Sequence, residues 1–166
     1  SIEVTMRAMD PKPARPSISA ALRMARRAWS LQHVDSPKSI SLAKTALALA
    51  LDRADIAAEG WARLVQGFHC LYFATPAEAA PELNRARACF ESSADRAGTI
   101  LAEAGMARGL WRSGRSREAL EKVLALETAP VESRRRAQQL LVARYERAGV
   151  EDSVARVLAG EHDLLG

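Results

Sequence analysis

Apolar positions in this chain recur at the spacing of helix faces, not in the alternation of strands. Leu42, Ala43, Ala46, Leu47, Ala50 and Leu51 fall at i, i+1, i+4, i+5, i+8 and i+9, which is one stripe of an amphipathic helix. Stop and start signals divide the chain into a succession of such segments. Ser17 or Ser19 offers a cap for a first helix over about Ile18–His33, with Leu22, Ala25 and Trp29 inward. Asp35-Ser36-Pro37 ends it and opens a second helix to about Arg53. A third, about Ile56 to Ala74, is apolar on more than one side and must be covered on two faces or line a groove. Thr75-Pro76 begins a fourth, carrying Ala79, Leu83, Ala86 and Phe90, which runs to about Asp95. Pro81 early in it shifts its start or bends it, and Gly98 marks the next break.

The fifth and sixth helices meet at Ser113-Gly114-Arg115-Ser116. Gly114 supplies a left-handed helix end there, and Ser116 the next cap. A seventh helix is predicted over about Val131–Arg147, with Ala137, Leu140, Leu141 and Tyr145 inward. An eighth covers about Glu151–Ala159, with Val154, Val157 and Leu158 as its apolar set. Ala, Leu, Arg and Glu dominate the composition and aromatic residues make up only 5%, which favours helix over sheet. The fold class expected is all-α.

The segments pair into hairpins, and the hairpins repeat. The small residue early in each second helix is Ala43, Ala79 and Ala119, at intervals of 36 and 40 residues. Four residues on come Leu47, Leu83 and Val123, and three further Ala50, Ala86 and Leu126. Leu110, Gly114, Glu118, Ala119 and Leu120 resemble the centre of a tetratricopeptide (TPR) repeat, and Gly67 stands where that family places its glycine. The consensus Trp-Leu-Gly-Tyr signature is mostly missing, and the units exceed the family's usual length of about 34. Val154 replaces the small residue of the fourth hairpin, which reads as degenerate or capping.

The resemblance implies a right-handed α-solenoid of about four hairpins over residues 17–160. Residues 1–16, with Pro11, Pro13 and Pro16, read as a flexible leader, and residues 161–166 as a truncated tail or the start of a linker. Asp52-Arg53-Ala54-Asp55 and Ser93-Ala94-Asp95-Arg96, at the ends of second helices, are similar in style to TPR sensory regions. Those regions precede bacterial signalling outputs such as GGDEF-type diguanylate cyclases.

First helices line the concave surface of a TPR solenoid. Carrying over the family's groove positions selects Trp61, Leu64, Phe68, Leu71 and Tyr72 from the second unit. It selects Arg108, Trp111 and Arg112 from the third, and Arg136, Gln139 and Arg147 from the fourth. The result is an apolar aromatic wall beside a basic one. The alternative is that the aromatics are core and the arginines solvated. Aromatic anchors and Arg are the residue types that carry interface energy, and Arg can grip a carboxylate with two bonds. The expected partner is a protein or peptide segment in that groove.

Charge and rare residues narrow the choice. The net charge of +4 is interleaved with Glu and Asp, as on a solvated helical surface. A helical-repeat nucleic-acid binder is therefore the second reading. Arg134-Arg135-Arg136 is the densest basic run, and only Arg136 is expected to face the groove.

His33, His69 and His162 are scattered outside any metal-ligand spacing, and His69 reads as a partly buried core histidine. Cys70 and Cys89 read as buried free thiols, which fits a reducing cytoplasm. No nucleophile–base pair or phosphate-cradling loop is assembled, and the Gly105/Gly109 spacing suits close helix packing. A non-catalytic module without metal or cofactor is expected, with no membrane span and a cytoplasmic location. Leu164 and Leu165 lack a following helix, which suggests a homodimer that buries them.

Overall fold

The computed structural model describes residues 18–147, and within these every regular element is a helix: α1 (Ala20–Leu31), α2 (Ser36–Arg53), α3 (Ile56–Phe73), α4 (Pro76–Ser92), α5 (Arg96–Arg112), α6 (Ser116–Leu126) and α7 (Val131–Arg147). The expected leader, eighth helix and C-terminal tail lie outside the described residues.

Helix starts follow the polar residues that precede them. Ser19, Asp35, Asp55 and Asp95 each accept a backbone N–H three residues on, at 2.9–3.1 Å. Thr75 and Glu78 cap each other reciprocally at the start of α4, an arrangement that satisfies two of the N–H groups a helix start leaves open. Pro81 lies inside α4 on its exposed side, and the helix runs through it. Two expected boundaries are corrected. Ser116 is the first residue of α6 and does not cap it; Arg115 takes the cap position with no side-chain bond to the backbone. Gly98 is no break: it lies in the first turn of α5, donates its N–H to Asp95, and meets the Phe90 ring so closely that a Cβ would stand 2.5 Å from it.

Three helix ends share one closure. Asp55 N–H bonds to the Ala50 carbonyl, Asp95 N–H to that of Phe90, and Arg115 N–H to that of Leu110, each at 2.9 Å. The residue before each is left-handed: Ala54 at φ 52°, Ala94 at φ 55° and Gly114 at φ 78°. Glycine takes that conformation freely, whereas alanine is strained in it. The Ala-Asp pairs thus serve as the end of one helix and the cap of the next.

Helices α1, α3 and α5 pack side by side. Helix α2 lies against both α1 and α3, α4 against both α3 and α5, and α6 against α5. Small residues make the approaches close. Ala43, Ala79 and Ala119 are buried, and a Cβ on Gly67 would stand 2.6 Å from Leu83. Gly105 faces Phe68 and Leu83, and Gly109 faces Leu71, so this pair serves helix packing. Charged links tie the outer edges: Arg63 joins Glu59 to Glu82, and Glu103 of α5 takes Arg87 of α4 at 2.7 Å and Lys122 of α6 at 2.9 Å. Burial alone would raise the Glu103 carboxyl, but its two cationic partners outweigh that and hold it below its usual range.

The path of α7 is not that of a simple continuation. It packs on α5 and also on α1, the first helix described. A stack in which each hairpin touches only its neighbours would leave α1 out of its reach.

Candidate functional site

The face where α7 meets α1 and α3 is built around Trp29. Its ring stands edge-on to Trp61, centroids 5.8 Å apart, and to Phe68 at 5.2 Å. Its Nε1–H donates to the Leu140 carbonyl of α7 at 3.1 Å, across 111 residues of sequence. One turn further along α7, Arg144 lays its guanidinium 4.0 Å from the Trp29 centroid and 5.2 Å from that of Phe68. Arg144 also donates to the Gln32 side-chain oxygen, and Gln32 in turn donates to the Val65 carbonyl at 3.0 Å. The chain of contacts runs from α7 through α1 to α3.

Arg144 is only 1% exposed. A charge taken so far from water needs compensation, and aromatic faces and a hydrogen-bonded amide supply some of it here. Nearby, His33 stands 5.3 Å from Tyr72, and the Arg108 guanidinium lies 5.6 Å over the same Tyr72 ring. Burial first, then the positive charges of Arg144 and Arg108, push the His33 pKa from 6.5 down to about 4, so this imidazole is neutral at neutral pH.

The groove residues expected from the sequence divide into three groups. Trp61, Leu64, Phe68 and Leu71 are at most 4% exposed and belong to the core. That corrects the expectation of an open aromatic wall. Helix α3 is packed by α1, α2, α4 and α5, so its apolar sides are in use along most of its length, with only the end residues Ile56 and Phe73 exposed. Tyr72 and Arg108 are half-buried and meet each other. Trp111, Arg112, Arg136 and Gln139 are exposed. Arg147 closes α7, and its side chain lies outside the described set.

The sequence pattern places Trp29 in the core and marks neither Gln32 nor Arg144, yet all three build this site. Arg144 carried a usable signal. It falls seven residues after Ala137 and three after Leu141, on the buried stripe of α7, where a charge is out of place.

Other candidate chemistry is sparse. Both cysteines are free. Burial, together with the hydrogen bond and charge of Glu59, raises the Cys89 thiol to about 11, which keeps it protonated and unreactive. Cys70 is only half-buried, not buried as expected, and burial raises its thiol as well. His69 is half-buried, with its ring 4.8 Å from Phe73, and burial lowers its pKa. Among the described residues no group of three or more His, Cys, Asp or Glu side chains is placed to hold a metal ion. No helix among them is long and apolar enough to cross a membrane.

No family model, curated protein or solved structure matches this chain.

Proposed function

We propose that this chain is a non-catalytic protein-interaction module that binds an α-helix on the face formed by α1, α3 and α5. The observation that carries this is the seat of α7. A helix already lies there, held by one backbone-directed bond from Trp29 and one arginine set against two aromatic rings. Those are the residue types that dominate interface energetics, and helix-in-groove docking is a recurrent mode of recognition. In this reading α7 is the resident occupant, and a partner helix bearing an arginine at the place of Arg144 replaces it.

The repeated Ala43, Ala79 and Ala119 support the TPR-like reading of the frame, a right-handed solenoid whose row of first helices forms the binding face. Many surface cations are engaged locally, as in Arg85–Glu82, Arg115–Glu118 and Arg135–Glu132. That favours a protein partner over a polyphosphate. The role we assign is regulatory, within a larger signalling protein of the bacterial cytoplasm, with self-pairing through exchanged helices as one mode of use.

The test is a labelled peptide of residues 131–147 titrated against the parent chain and against Arg144→Ala, in which the resident helix is loosened. Tighter peptide binding by the variant, lost when the peptide itself carries Arg144→Ala, is the expected result. Equal or absent binding in all pairings would remove the reading.

A further inference from the structure

Beside the Arg144–Trp29 contact, the seam between α7 and the other helices opens into a cavity of about 220 Å³. Trp29 and Trp61 border it, each only 3% exposed. Three arginines also border it: Arg26 from α1, and Arg136 and Arg144 from α7. The Arg26 guanidinium lies 5.8 Å over the Trp61 ring and Arg144 sits over Trp29, so cations and flat apolar surface are interleaved. Among the described residues one carboxylate stands against these arginines, Asp95, one of whose oxygens already accepts the Gly98 N–H. The seam is therefore positive, partly sheltered and aromatic. Its volume is below the roughly 300–1,000 Å³ typical of drug-sized ligands, so an occupant must be small.

We propose that this seam is a binding site for a small carboxylate with a flat apolar body. The body takes the place of the Arg26 guanidinium beside Trp61 as that exposed side chain swings to the carboxylate, which accepts from Arg26 and Arg136. Arg26 and Trp61 belong to the stack while Arg136 and Arg144 belong to α7, so a ligand bridging them fastens α7 in its seat. By linkage, whatever holds α7 down opposes any helix that would replace it. The seam shares the seat of α7 with the helix-binding reading but needs no partner helix, so absent peptide exchange leaves this site standing and absent benzoate binding leaves that reading standing.

Benzoate is the probe. It is titrated into the full chain carrying Trp111→Phe, which removes the exposed indole and leaves Trp29 and Trp61 to report by fluorescence. Saturation with a midpoint of about 1 mM or tighter is expected, with slower amide exchange across α7. Combining Arg26→Gln and Arg136→Gln should weaken binding at least about tenfold, the scale of one lost charge-assisted bond, with unchanged melting as the check on folding. Four results would each overturn the proposal: no saturation, equal binding by the double variant, equal binding of benzyl alcohol or inorganic phosphate, or binding that leaves α7 exchange unaltered.

Discussion

Helices α1–α6 and helix α7 are held by different means. Within the stack, neighbours approach through alanine and glycine, and the bulky residues fill what those leave: Leu83 against Gly67 and Gly105, Phe90 against Gly60 and Gly98. On α7 the small-residue theme shrinks to Ala137, and the seat depends on Trp29, Gln32 and Arg144. The first kind of packing is distributed, so each position contributes modestly and the pattern repeats. The second is concentrated, so a few side chains decide whether a helix stays or leaves. That difference is the premise of the helix exchange proposed above.

The largest effect should come from Trp29, which belongs to both regions. Trp29→Ala removes the aromatic centre and the bond to Leu140, and should cost about 3–5 kcal/mol in urea unfolding. The stack alone is challenged by Gly98→Ala, which sets a methyl against Phe90, and by Ala119→Leu, which enlarges a fully buried site. Each should cost about 1–3 kcal/mol and leave the α7 seat in place. Denaturation midpoints equal to the parent's would contradict the packing described.

A gain is expected at the turns, where neither kind of packing acts. Ala94→Gly relieves a left-handed alanine, worth about 1–2 kcal/mol, less the added freedom of the unfolded chain. The net is a stabilisation of about 0.5–1 kcal/mol, readable as a raised denaturation midpoint.

The remaining effect is electrostatic, and it appears only as the pH is lowered. His33 has a folded pKa of about 4 against about 6.5 when unfolded. Above pH 6.5 it is neutral in both states and subtracts nothing. As pH falls from 6.5 towards 4, the unfolded chain takes up the proton first, and stability declines; below 4 the loss is complete. His69 acts in the same direction. Between pH 7 and pH 5 the midpoint should fall in the parent and fall less in His33→Gln.

The contrast between the regions also explains what the sequence disclosed. The all-helical class, the span of α7 and the buried alanines were legible because helical period, caps and the small residues of close crossings are local signals. The left-handed Gly114 was legible for the same reason. Gly98 departs from the expected break because a glycine marks one only when nothing packs on it, and Phe90 does. The aromatic wall was misplaced because periodicity cannot say which side of a many-sided apolar helix remains open. The seat of α7 was invisible: Trp29–Leu140 and Gln32–Arg144 join residues more than a hundred positions apart, with no pattern linking them. Only the arginine on the α7 stripe hinted at it.

The seat of α7 on α1 is the claim on which the functional reading depends, and a double-mutant cycle between Trp29→Leu and Arg144→Met reads it directly. Each replacement stays apolar and removes its own half of the cation–aromatic contact, together with its hydrogen-bonding group. In urea unfolding, residues in contact should show a coupling of about 0.5–2 kcal/mol, the range of a desolvated cation–aromatic pair. Strictly additive losses would mean that α7 does not rest on α1 in solution, and the account of a helix-binding face would fall with it.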